Sequence, residues 1–233
     1  MRNATMCVAL LCFALGLCSG VAGDDLYSPP WTRGIQGATN QQWTFSTSAI
    51  YALPEIKYNP YGQPYADVLM PASRWFDMTF VVPNMRGIWA MTACCPGMDM
   101  HIPVCPDMPA GSTVETWIQV TYAVNNQMLY GKPTIEFGSP ATLEDEAFYT
   151  VVTTPPTLFP NSWCLWRSKW SVTPVDGRIS FRLDHDPNLR AAIDQVVVDT
   201  LCVPKDVVPE PSGLIALTSG LAAAAAFRRS RAS

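Results

Sequence analysis

The sequence predicts an all-β extracellular domain, an antiparallel two-sheet sandwich of jelly-roll type. Three observations carry that expectation. At least eight short segments read as strands, most of them alternating apolar and polar side chains with the period of two that a half-buried strand requires. Only 15% of residues are charged, whereas 21 prolines and an aromatic content of 11% favour strands and loops over helices. Between the alternating runs stand turn signals such as Asp176-Gly177, and no body segment has a helical amphipathic period.

The segments follow in chain order. Residues 41–47 set Gln42, Thr44 and Ser46 against Trp43, Phe45 and Thr47. Residues 75–82 put Phe76, Met78, Phe80 and Val82 on one face. Residues 116–124 align Ile118, Val120, Tyr122 and Val124, with Trp117, Gln119 and Thr121 opposite. Residues 134–137 and 148–153 are shorter strands, and Glu144, Asp145 and Glu146 between them read as a loop. Residues 164–172 turn Cys164, Trp166, Trp170 and Val172 inward and Arg167 and Lys169 outward. Residues 178–183 place Ile179, Phe181 and Leu183 inside. Residues 193–201 are apolar on both faces around Val196, Val197 and Val198, the pattern of a central strand. Residues 184–192 are expected to hold a short helical turn.

The two ends of the chain read as addresses. Residues 1–23 have an early charge at Arg2, an apolar stretch from Met6 to Leu17 and the small exit Val21-Ala22-Gly23, the three regions of a secretory signal peptide cleaved after Gly23. Residues 24–204 form the sandwich domain, long enough for one sizeable core. Residues 205–233 are tripartite. Val208, Pro209, Glu210, Pro211 and Ser212 come first, and the two prolines hold an extended strip because they lack a backbone N–H. An apolar, alanine-rich run at 214–227 follows; as a helix it spans roughly 21 Å at ~1.5 Å per residue. That is short against a hydrocarbon core of ~30 Å, so it makes a short, tilted membrane anchor. Arg228, Arg229 and Arg231 then hold the end on the cytoplasmic side.

This tail resembles the PEP-CTERM sorting signal of exported bacterial proteins, with Pro209-Glu210-Pro211 as its signature. The resemblance implies an exosortase-type enzyme that reads the motif and removes the anchor. A second resemblance covers the body. Ser28-Pro29-Pro30-Trp31-Thr32-Arg33-Gly34, followed by Gln42-Trp43-Thr44-Phe45, is similar to the opening of exported proteins carrying the same tail, where a Pro-Pro-Trp-Arg-Gly segment precedes a Gln-x-Trp-x-Phe strand. Here Thr32 interrupts the opening motif. The runs at 117–122 and 193–199 are similar to later strands of that family. It implies a fold and a compartment but no activity. The closing Ile193-Asp194-Gln195-Val196 strand also resembles that of jelly-roll carbohydrate-binding modules, an analogy of fold alone.

Composition excludes some partners. Without Arg2 and the three tail arginines, the chain keeps 11 basic against 19 acidic residues, a net charge of −8. Scattered positives on an acidic body are unsuited to nucleic acid, whose phosphates need clustered Lys and Arg. Processing leaves five cysteines, Cys94, Cys95, Cys105, Cys164 and Cys202, and an oxidising compartment favours pairing. The expected pairs are a local bridge from Cys94 or Cys95 to Cys105 and a long-range one from Cys164 to Cys202.

No nucleophile elbow, zincin helix, phosphate loop or dinucleotide fingerprint occurs, and the two histidines, His101 and His185, give a catalytic triad few ways to assemble. Asp184-His185-Asp186 starts like a calcium loop, but Leu189 and Gln195 stand where its glycine and bidentate glutamate belong, so it reads as a turn. Residues 91–108 gather Cys94, Cys95, Met98, Met100, His101, Cys105 and Met108, a ligand set that suits Cu(I) if the thiols stay reduced. Trp117 and Gln119, facing away from the apolar stripe of their strand, are the expected glycan-binding platform.

Together these readings predict a non-enzymatic exported protein, without cofactor or resident metal, in the cell envelope or extracellular matrix. Its expected partners are the sorting enzyme, the inner membrane before processing, and extracellular polysaccharide. The alternatives are a polysaccharide-active hydrolase or lyase on the same scaffold and a copper-binding envelope protein.

Overall fold

The computed structural model describes residue 25 and residues 27–69, 74–77, 87–91, 97–109, 111–124, 129–153, 162–186 and 188–203, the side chains of 151–153 excepted. The expected signal peptide and sorting tail, with Cys94 and Cys95, lie outside the described residues, as does the part of the expected 75–82 strand beyond Asp77. Among the described residues every element is a strand. No helix among them is long and apolar enough to cross a membrane.

Two antiparallel sheets face each other. The first has eight strands: β1 (Ala38–Trp43), β3 (Ile56–Tyr58), β5 (Arg74–Asp77), β6 (Gly87–Met91), β8 (Thr113–Val124), β10 (Ala141–Thr153), β11 (Ser162–Val172) and β13 (Ala191–Val203). Its main path runs β10-β11-β8-β13-β1-β3, with β6 beside β13 and β5 beside β6. The second runs β2 (Tyr51–Ala52), β4 (Tyr65–Val68), β7 (Met98–Pro103), β12 (Arg178–His185), β9 (Pro133–Phe137). The all-β, two-sheet expectation is therefore met.

Strand phase follows the sequence where the alternation is long. In β8, Ile118 and Val120 are buried in the core and Tyr122 nearly so. In β12, Ile179, Phe181 and Leu183 enter the core and Arg178 stays outside. β13 is buried on both faces over its first ten residues because β8, β1 and β6 flank it and the N-terminal arm covers part of its outer face. The Asp176-Gly177 hairpin forms: both residues have positive φ, 50° and 66°, and Val175 and Arg178 exchange backbone hydrogen bonds of 3.0 Å.

Three local readings are corrected. Residues 41–47 are strand only as far as Trp43; Phe45 stays buried but has φ 48°, so the chain turns while its side chain remains in the core. At β5 the phase is opposite to that expected: Trp75 packs against the core and donates from Nε1 to the Phe45 carbonyl at 2.9 Å, while Phe76 is 45% exposed. Glu144, Asp145 and Glu146 belong to β10 rather than a loop. Cross-strand cations make that possible: Lys169 meets Glu144 at 2.8 Å, Arg167 meets Asp145 and Lys132 meets Glu146 at 3.1 Å. These acids and two register irregularities mark the outermost strand of the sheet, where both discourage pairing with another chain.

Neither expected bridge, Cys94 or Cys95 to Cys105 or Cys164 to Cys202, is formed. Cys105, just past β7, is joined instead to Cys202 in β13, linking the two sheets across a sequence separation of 97, and Cys164 is a free thiol. Register explains this. Cys164 lies opposite Tyr122 of β8, and Cys202 lies opposite Val114 on the other edge of that strand. At ~3.3 Å per residue they stand roughly 26 Å apart along the sheet, whereas a disulfide needs Cα atoms within ~7 Å. The Cys105–Cys202 pair meets that condition with Cα atoms 6.4 Å apart.

Candidate functional site

Each sheet has an outward face, and the two differ in what covers them. On the eight-stranded sheet, Trp117 and Gln119 point outward as their strand phase requires, but neither is exposed: Trp117 is 8% and Gln119 1% accessible. An N-terminal arm, Asp25 with residues 27–34, lies across them. Trp117 Nε1 donates to the Tyr27 carbonyl at 3.2 Å, and Trp31 meets the Trp117 ring edge-on. The Arg167 guanidinium covers the same ring at 4.7 Å from its centroid. Gln119 accepts from the Tyr27 N–H at 3.2 Å and donates to Asp25 at 2.9 Å. The expectation of an open platform here is corrected: an indole and an amide left by strand alternation on an outer face were covered by a segment distant in sequence.

The arm is locked by charge. Arg33 donates from Nε and Nη2 to the two oxygens of Asp199, each at 2.6 Å, and from both terminal nitrogens to Asp25. Asn40 donates to Asp199 at 3.0 Å. Burial pushes the Asp199 carboxyl above the usual carboxylate range, with Arg33 and Asn40 partly offsetting it. Burial also raises Asp25, but the bonds from Arg33 and Gln119 prevail and hold it below that range. Arg33, between two carboxylates, keeps its proton more firmly than a free arginine.

The outer face of the five-stranded sheet carries no such arm among the described residues. Its strands alternate cleanly, so Tyr65 and Asp67 of β4, Asp99 and His101 of β7, Ser180 and Arg182 of β12, and Glu136 of β9 share that face. They form two rows across the strands. In one, the Tyr51 ring stacks on Tyr65 at 4.6 Å, Tyr65 stacks on His101 at 4.5 Å, and His101 Nδ1 meets Ser180 Oγ at 3.0 Å. The rings stand face to face, so the row presents edges, hydroxyls and the free face of Tyr51, which is 53% exposed. In the other row, Asp67 lies opposite Asp99, Asp99 opposite Arg182, and Arg182 opposite Glu136.

Between the rows and β9 lies a cleft of about 310 Å³, lined by Asp99, His101, Glu136, Phe137, Gly138, Ser180, Phe181 and Arg182. Gly138 leaves it open: a Cβ there would meet only the Ser180 carbonyl oxygen, at 3.8 Å. Asp99 gives both oxygens to Arg182, which donates from Nε at 2.8 Å and Nη2 at 3.0 Å, so among the described residues no carboxylate is hydrogen-bonded to His101 to orient it as in a triad. Burial lowers the His101 pKa, with Asp99 acting in the opposite sense, so the ring is neutral at pH 7.

The copper ligand set is dispersed. Among its described members, Met98 and Met100 are fully buried in the core, His101 projects to the opposite face of the same strand and Cys105 is oxidised. Among the described residues no group of three or more His, Cys, Asp or Glu is placed to hold a metal ion. Burial raises the Cys164 thiol, a hydrogen bond with Thr150 partly offsetting it, so this thiol is a weak nucleophile. Asp186 accepts from the Asn188 N–H at 2.7 Å, an ordinary turn contact.

The cleft escaped the sequence reading although a signal was there. Met98, Asp99, Met100, His101, Ile102 and Pro103 alternate strictly, and that period of two marks a strand with Asp99 and His101 on one face.

No protein-family model, curated protein or solved structure matches this chain.

Proposed function

We propose that this protein is an exported, non-catalytic module of the cell envelope or extracellular matrix that associates with polysaccharide through the outer face of its five-stranded sheet. The single observation that carries the reading is the open cleft beside the Tyr51–Tyr65–His101 row. It combines what sugar recognition uses: aromatic surface, hydroxyls and planar carboxylate and guanidinium groups that form paired hydrogen bonds with neighbouring hydroxyls. The absence of a carboxylate orienting His101 favours binding over catalysis.

Export rests on the sequence of the two ends. A signal peptide at 1–23 directs the body outward, and the tail at 205–233, with its motif at 208–212, anchors it in the inner membrane until an exosortase-type enzyme acts. The sandwich has jelly-roll-like connectivity in this reading, and the acidic body makes nucleic acid an unsuitable partner.

The test is retention of the mature body on the host's own extracellular polysaccharide. Gly138→Phe fills the cleft and should abolish retention while leaving the thermal midpoint unchanged. Equal retention by the variant would remove the cleft from the function. Release of soluble sugar by the wild type would establish the hydrolase or lyase instead.

A further inference from the structure

Resting on the polysaccharide reading of the same cleft, we infer that its ligand carries no carboxylate groups, and that Asp67 and Glu136 are the residues that exclude uronate-containing polymers.

The inference comes from the register of the charged row. Reading across β4, β7, β12 and β9, the side chains are Asp67, Asp99, Arg182 and Glu136, three carboxylates and one guanidinium, a net of −2. Arg182 is spent on Asp99, since two of its nitrogens donate to the two oxygens of that carboxylate. The two ends of the row, Asp67 and Glu136, form no ion pair among the described residues and face solvent on either side of that pair. Arg178 and Asp184, towards the two ends of β12 on the same face, add one charge of each sign and leave the net at −2. The aromatic row contributes no charge, because tyrosine, serine and a neutral His101 are its members. The exposed polar groups are therefore dominated by acceptors.

An ionised carboxylate accepts and does not donate, and its two oxygens suit a pair of neighbouring sugar hydroxyls, which donate. A uronate in the same place adds a negative charge beside carboxylates that form no ion pair among the described residues, and the cation within the row, Arg182, is already paired. Like charges at contact disfavour the wrong partner more than the right one is favoured, which is how specificity arises from repulsion. Arg182 donates to Asp99 from Nε and Nη2, so its Nη1 is the nitrogen that can reach a ring or hydroxyl oxygen of the sugar.

The experiment separates the host's extracellular polysaccharide by anion exchange into an uncharged and a carboxylate-bearing fraction and measures retention of the mature body on each at low salt. The wild type should hold the uncharged fraction at least tenfold more tightly. The Asp67→Asn, Glu136→Gln double variant, isosteric at two outward-facing positions, should keep its thermal midpoint and lose part of its hold on the uncharged fraction, because Glu136 lines the cleft. It should also gain at least fivefold on the carboxylate fraction. Equal wild-type retention on both fractions, abolished on both by Gly138→Phe, would overturn the inference while leaving the cleft as the binding site. A double variant that gains nothing would also overturn it. Retention on neither fraction, or retention indifferent to Gly138→Phe, would overturn the underlying reading as well.

Discussion

Trp31 stands edge-on to Trp117, with 6.5 Å between ring centroids and 77° between ring planes. That contact joins the N-terminal arm to the middle of β8 and makes a core residue of a side chain that strand phase alone puts on the surface. Trp117→Ala should therefore destabilise the body by about 3–5 kcal/mol, the range for a buried large aromatic, with a clear fall in thermal midpoint. Trp31→Ala, which removes only the partly exposed member, should cost less. An unchanged midpoint for Trp117→Ala would mean that the arm does not cover the strand in solution.

The disulfide links sheets rather than neighbouring loops. Replacing Cys105 and Cys202 together by serine should cost about 2–5 kcal/mol, the range for a native bridge in a secreted domain. Peptide mapping without reduction should recover Cys105 joined to Cys202. A Cys164–Cys202 peptide would contradict the register of β8 with both of its neighbours.

The arm should respond to acid before the sandwich does. Asp25 is held below the ordinary carboxylate range, so the stability it contributes is present above its unfolded pKa of about 3.9 and is lost as pH falls through its depressed folded value. Asp199 is shifted upward by burial and takes up its proton at higher pH; that uptake favours the folded body, yet it weakens the charge that Arg33 holds. Tryptophan fluorescence from the Trp31–Trp117 contact should change below about pH 4 while far-ultraviolet circular dichroism still reports the sheets. Asp25→Asn should remove the lower part of that transition. A single transition seen equally by both signals would show that the arm and the sandwich unfold as one unit.

Sorting should depend on the two prolines of the tail. With Pro209 and Pro211 both replaced by alanine, the strip is free to extend the following helix, and the membrane-bound precursor should accumulate. Mass spectrometry of the mature C-terminus in the native host measures this directly. Processing identical to the wild type would show that the motif is not read.

What the sequence determined by itself was local. The alternation of β8 and β12, the double-sided apolar character of β13 and the Asp176-Gly177 hairpin were legible because a period of two or a two-residue turn is set by adjacent residues. The reading of the two ends as addresses rests on the linear sequence alone and stays a proposal. Tertiary structure decided what lies over each face. Trp117 and Gln119 are buried because Tyr27, ninety or more residues away in the chain, docks on them. Cys202 pairs with Cys105 because two sheets meet there, while β8 separates it from Cys164. The acidic run in β10 is strand because Lys132, Arg167 and Lys169 come to meet it. The cleft exists only where β7, β12 and β9 lie side by side, three segments that are not consecutive in the chain. Side-chain phase is a property of one strand, but covering, cross-linking and concavity are properties of strands paired at long range, and no local pattern encodes which strands those will be.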